Sequence, residues 1–138
     1  MKTLLTLVLV ALLASACSST PKRSQGERVL ARYEGYIGAP IRGFTAFRQQ
    51  SWQPINRTQL ILWIDFSHAY LLTITSGCPD LMFTDGVRVT STGSNISTFD
   101  SVLVRDNRCP ITEIRPIDLR QMRADRKELE DNQQPAKP

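Results

Sequence analysis

The residue types that can do acid–base or metal chemistry are few in this chain and thinly spread. Its one histidine, His68, stands three residues after Asp65. An aspartate and a histidine at that spacing can supply two metal ligands, or a base with the carboxylate that orients it. Either use needs further partners that spacing does not show. The stretch Asp65-Phe66-Ser67-His68 also reads as the polar turn of a hairpin, so the pair is a candidate polar site and no more. Asp80, Asp85 and Asp100 could converge as calcium ligands or as an acid and base, but their spacing matches no calcium loop. Asp85-Gly86 reads as a turn and Asp100 as a cap on a strand connection. The sequence holds no Gly-x-Ser-x-Gly, no phosphate-binding glycine loop and no His-Glu-x-x-His. The expectation is a protein without catalytic residues, metal or cofactor. A small hydrolase or metal-dependent enzyme built on Asp65 and His68 is the contrary class.

The cysteines carry a different chemistry. There are three, Cys17, Cys78 and Cys109, and an odd count in an oxidising compartment calls for an explanation. The chain begins Met1-Lys2, continues through an apolar run from Leu4 to Leu13, and reaches Ala14-Ser15-Ala16 just before Cys17. A basic start, about ten apolar residues and small residues at the end make a secretory signal. The run falls short of the roughly 20 apolar residues that a membrane-spanning helix needs. Ala14-Ser15-Ala16 suits ordinary signal peptidase. The same stretch resembles a lipobox, whose cysteine takes a diacylglycerol on sulfur, although Ala14 stands where leucine is commoner. Acylation of Cys17 would use one thiol and leave Cys78 and Cys109 as a pair. Closing their loop stabilises a fold by roughly 3–4 kcal/mol in the chain-entropy model. No Cys-x-x-Cys is present, so the expected bridge is structural rather than redox-active.

Charge and aromatics narrow the partners. The net charge is +4, with thirteen arginines against four lysines. Arg32, Arg42, Arg48, Arg57, Arg88 and Arg105 are scattered and not grouped with aromatics, so a nucleic-acid platform is not expected. The charge is accounted for by solubility alone; beyond that, a weak attraction to lipid headgroups, another anionic envelope component or another envelope protein is more natural than nucleic acid. Trp52, Trp63, Phe44, Phe47, Tyr33, Tyr36 and Tyr70 supply the larger apolar side chains. Gathered at one barrel mouth they would hold a lipid or small apolar ligand; otherwise they are core.

The elements that position these residues read mainly as strands. Residues 1–16 form the signal and 17–26 a polar, flexible, lipidated tether. A β domain spans 27–118, and a charged tail spans 119–138. Glu27–Tyr36 could open the domain as a short helix, with Val29, Leu30 and Tyr33 on one side. Gln59–Ile64 is apolar on both faces and predicts a covered strand. A four-residue connection then leads into a second strand over Ala69–Thr75. Leu81–Phe83, Val87–Thr90, Ser101–Arg105 and Ile111–Ile114 follow, separated by turn residues that include Gly93-Ser94-Asn95. This close spacing predicts a small antiparallel barrel or sandwich of about six or seven strands. Past Leu119 the apolar marks are Leu119, Met122 and Leu129 alone, which predicts a solvated helix fraying into disorder.

Several short segments together are similar to a known family: Ile41-Arg42-Gly43-Phe44, the Trp52 region, Tyr70-Leu71-Leu72, Cys78-Pro79-Asp80-Leu81, Phe99-Asp100-Ser101-Val102 and Cys109-Pro110-Ile111-Thr112. They resemble, from about Tyr33 to Leu119, small proteobacterial envelope proteins classed as a domain of unknown function. The two Cys-Pro pairs are the sharpest elements. The resemblance implies a periplasm-facing domain with a signal peptide and a disulfide, and it brings no activity or catalytic residue. The sequence thus points to a lipid-anchored, non-enzymatic binding or support domain. Ser18 rather than aspartate after Cys17 favours the outer membrane. A periplasmic carrier of an apolar ligand is the alternative.

Overall fold

The computed structural model describes residues 23–49, 51–76 and 78–133. Helix α1 spans Gln25–Ala31 and begins inside the stretch that composition alone reads as tether. Its start is set by a capping box. The Ser24 hydroxyl accepts from the Glu27 backbone N–H at 3.2 Å, and the Glu27 carboxylate accepts from the Ser24 N–H at 2.7 Å. A single 3-10 turn, Glu34–Tyr36, follows. Strands β1 (Gly43–Thr45), β2 (Ser51–Pro54), β3 (Gln59–Trp63), β4 (His68–Ile74), β5 (Val87–Val89), β6 (Asn95–Ser97), β7 (Ser101–Val104) and β8 (Asn107–Asp118) come next. Helix α2 occupies Leu119–Gln133. Asp118 caps it by accepting from the N–H groups of Arg120 and Gln121 at 3.1 and 2.9 Å.

Six strands form one antiparallel sheet in the order β2-β3-β4-β8-β7-β5, while β1 pairs with β6 alone. The sheet curls into a nearly closed barrel. The Gln49 side chain, just ahead of β2, donates to the Val87 carbonyl of β5 at 3.4 Å across the gap. The barrel form of the all-β expectation therefore holds, with eight strands among the described residues.

Period-two alternation divides the apolar side chains into two layers. Leu60, Leu62, Leu72, Ile114, Val102 and Val104 fill the barrel, capped by Phe44 and Ile96 from the β1–β6 pair. Ile61, Ala69, Leu71 and Ile117 point outward and are covered by α1, Tyr33, Tyr36, Leu119 and Met122. A strand apolar on both faces, as β3 is, needs a second layer, and the two helices provide it.

Strand β8 joins the halves of the sheet. Its first residues pair with β7 and its last with β4. One extra residue is absorbed between these registers, where Ile74 faces Ile111 while Thr73 faces Glu113. That bulge lets both Ile111 and Ile114 reach the interior despite their odd spacing. The strand also carries two prolines. The Pro116 carbonyl accepts from Gly38 N–H at 2.8 Å and the Pro110 carbonyl from Thr75 N–H at 3.1 Å. Each carbonyl points away from the full ladder partner, and the missing N–H falls on the same side, where it breaks no ladder. This is why β8 runs far beyond Ile111–Ile114.

Other elements differ from the sequence reading for physical reasons. Leu81–Phe83 is not a strand: Pro79–Met82 forms a 3-10 turn with Pro79 at its start and Leu81 buried. Pro54 is the last residue of β2, and its missing N–H is tolerated because β2 is an edge strand. Asn95 belongs to β6 as well as to its turn, paired with Thr45. The polar C-terminal segment is helical through Gln133, and residues 134–138 lie outside the described residues.

Candidate functional site

Asp65 and His68 are brought together, as their spacing suggested, at the β3–β4 turn. The His68 Nδ1 lies 2.7 Å from Asp65 Oδ2, with the two side chains 50% and 44% exposed. The same carboxylate accepts from the backbone N–H groups of Ser67 and His68 at 2.6 and 2.8 Å. The Ser67 N–H, aided by the His68 ring, holds the Asp65 carboxyl below its ordinary pKa. These bonds shape the hairpin, so the pair's geometry is accounted for by the turn it builds.

The other carboxylates do not gather. Asp80 accepts from the Asn107 side chain at 3.1 Å at the opposite rim of the barrel. Asp100 clamps the β6–β7 connection, accepting from Ser97 N–H and Oγ at 2.8 and 2.9 Å and from Thr90 Oγ1 at 3.1 Å. Asp85 stands exposed in the loop before β5. Among the described residues, no three His, Cys, Asp or Glu side chains come close enough to hold a metal ion.

Cys78 and Cys109 are bonded, with their Cα atoms 6.0 Å apart and both residues buried against the barrel interior. The bridge ties the loop after β4 to the first residues of β8. Cys17 and the signal segment lie outside the described residues.

The aromatics do not meet at a single mouth. Phe44 stacks on Tyr70 at 3.7 Å between centroids, on the inner layer. Tyr33 meets Trp63 edge to face at 6.3 Å, on the outer layer.

That outer pair belongs to a feature the sequence reading missed, an open groove of about 630 Å³ between α2 and the β2 edge. Tyr33, Trp63, Leu119 and Met122 give it apolar walls. Ser51 and Gln53 share the outer face with Trp63 through the β2–β3 register. Arg123 and Arg126 line it on the helix side, and the Arg123 guanidinium donates to the Phe66 carbonyl at the far end. Neither arginine forms a salt bridge among the described residues. Tyr36 braces α2 from below, donating to Asp125 at 2.9 Å, and that bond pushes the phenol's pKa up. The Asp65 carboxylate also lines it, so the groove is an apolar trough with two guanidinium groups on one side and one carboxylate, which can hold an amphipathic surface. The signal was present as Met122, Arg123 and Arg126 at helical spacing, but it has no meaning until Trp63 and β2 are placed beside it.

No curated protein and no solved structure shows significant similarity to the chain. A family model matches residues 1–133, nearly the whole length, and its description is a family of unknown function. The barrel with its buried bridge and flanking groove is therefore the architecture of one of its members: the chain belongs to the family of unknown function DUF6491.

Proposed function

We propose that this protein is a membrane-anchored bacterial lipoprotein whose β domain serves as a non-enzymatic binding or support module of the cell envelope. One observation carries the proposal. Cys78 and Cys109 are bonded to each other, which leaves Cys17, directly after Ala14-Ser15-Ala16, as the cysteine available for acylation. Among the described residues no helix is long and apolar enough to cross a membrane, and a lipid anchor requires none. The outer membrane, facing the periplasm, suits Ser18 after the cysteine. The proteobacterial envelope setting follows the resemblance carried by the two Cys-Pro pairs.

Binding would fall to the groove between α2 and β2, whose arginines suit an anionic envelope component or an acidic protein surface rather than nucleic acid. The carrier reading has the same groove as its support, since side chains such as Leu60, Leu62 and Leu72 occupy the barrel interior. A hydrolytic role would need further catalytic partners beside Asp65 and His68, whose mutual contact also shapes the β3–β4 turn.

Intact mass measurement on protein extracted from membranes tests the proposal. The expected species lacks residues 1–16, carries acyl chains on Cys17 and gains two hydrogens on reduction. An unacylated chain beginning at Cys17 refutes the anchor. Replacement of His68 by Ala is expected to leave the cellular role intact, and its loss from a normally folded variant would refute the non-enzymatic part.

A further inference from the structure

The path of the sheet decides which end of the barrel lies nearest the anchor. Strand β2 ends, and β3 begins, at the Ile55–Thr58 turn. Antiparallel pairing puts the C-terminal end of β4, the β7–β8 turn and the start of β5 at that same rim. The chain also enters the domain there, because Gly26 of α1 packs against the Ile55 backbone. Six residues lie between Cys17 and Ser24. Whatever path they take, they keep the start of α1 within about 25 Å of an acylated sulfur. The opposite rim, with the β3–β4 turn, is a further strand length away, about 20 Å.

The near rim carries a small apolar tip. Leu81 is buried by the 3-10 turn, but the next two residues point outward, with Met82 38% and Phe83 72% exposed. The tip is held in place. Arg105 on the β7–β8 turn donates to the Phe83 carbonyl at 2.9 Å, and the bridge of Cys78 to Cys109 anchors the turn's base. Exposed arginines share the rim at positions 57, 105 and 108, and Arg23 and Glu27 stand exposed where the chain enters. Three acids share the rim: Asp80, which accepts from Asn107, and the exposed Asp85 and Asp106. The charges of the rim are mixed, and its arginines suit the phosphate level of a bilayer, where arginine pairs with phosphate and an aromatic or methionine side chain enters the acyl boundary.

We infer that this rim is a second membrane contact: Met82 and Phe83 dip into the interface of the bilayer that holds the anchor, with the neighbouring arginines on lipid phosphates. The inference rests on acylation of Cys17. It fixes the domain's orientation, so that the β3–β4 turn with Phe66 and the far end of the groove project away from the membrane.

The test is hydrogen exchange, read by mass spectrometry, on the acylated full-length mature protein in phosphatidylethanolamine–phosphatidylglycerol vesicles. The reference is the same protein in mild detergent. Peptides covering residues 79–86 and 105–108 are expected to exchange severalfold more slowly in vesicles, with residues 64–67 unchanged. A double variant, Met82→Ser with Phe83→Ser, changes two exposed side chains and is expected to keep its melting temperature and lose the slowing. Acylated protein whose near rim exchanges equally in both media, or that is slowed at residues 45–49 and 64–67 instead, overturns the orientation while leaving the anchor standing. A Cys17 found without lipid in the same mass spectra overturns both.

Discussion

Gly26 offers a prediction whose sign decides the matter. It is the second residue of α1, a position where helix propensity alone favours alanine over glycine by about 1 kcal/mol. The structure says the opposite. A Cβ built on Gly26 would lie 1.7 Å from the Ile55 carbonyl oxygen, 2.5 Å from its carbonyl carbon and 2.8 Å from its Cα. All three are backbone atoms of a residue that is 1% exposed, so no flexible side chain can move aside. Ile55 is also fixed from behind, its N–H donating to the Gln59 carbonyl at 2.8 Å. The helix must therefore lift, and Val29 and Leu30 lift with it from the layer formed by Ile61, Leu71 and Ile117.

Overpacking of this kind costs about 1–3 kcal/mol. Taking the upper part of that range for a backbone clash, and subtracting the propensity gain, Gly26→Ala should lose about 2 kcal/mol. At about 4 °C per kcal/mol for a domain of this size, the melting temperature should fall by roughly 8 °C. The assay is thermal unfolding of the oxidised, leaderless chain followed by circular dichroism. Gly35→Ala is the control, since a Cβ there meets nothing within 4 Å, and its melting temperature should barely change. If Gly26→Ala melts at or above the parent temperature, α1 does not seat on Ile55 as described, and the entry point of the chain at the near rim falls with it.

Two other perturbations follow from the same structure. The Cys78–Cys109 bridge closes a separation of 31 residues, so replacing both cysteines with Ala should cost about 4 kcal/mol in the chain-entropy model, read as a lower urea midpoint; an unchanged midpoint would show that the loop after β4 is held without it. Asp65 has its carboxyl pKa lowered in the folded state, so its stabilising effect is present above the unfolded carboxylate range and is lost as pH falls through the lowered value. The stability gap between the parent and Asp65→Asn should therefore narrow between neutral pH and pH about 3, and a gap that stays constant in thermal melts would show that the charge plays no part in the turn.

What could be read in advance was local. The β3–β4 hairpin announced itself through two apolar runs and a four-residue polar connection, and the Asp65–His68 contact came with it. The alternation at Gln59–Ile64 indicated two covered faces, and both are covered. The cysteine pair followed from parity. Where the reading failed, tertiary context overrode a local rule. Pro110 and Pro116 conceal a long β8 until their carbonyls are seen to point away from the ladder. Leu81 looks like part of a strand, but its burial is achieved by one turn of 3-10 helix beside the bridge. The groove was illegible for a further reason, since it draws on Tyr33, β2, Trp63 and α2, segments that meet only in the folded chain.

The sparse stripe that made the C-terminal segment look unable to bury itself also explains why there is a groove. Leu119 and Met122 seat the first turn of α2 against the outer layer, and the Tyr36–Asp125 hydrogen bond holds the next. Where another apolar residue would continue the contact toward β2, the helix has Arg123 and Arg126, and Leu129 is 61% exposed further along. A fuller stripe would draw α2 down over Trp63 and the β2 edge and close the gap, burying more apolar area at about 25 cal/mol per Å². The trough that remains is lined by Arg123 and Arg126 on the helix side, with Asp65 also on its lining. The marginal packing is confined to this flank, beside a barrel whose interior is filled by apolar side chains and tied by the Cys78–Cys109 bridge.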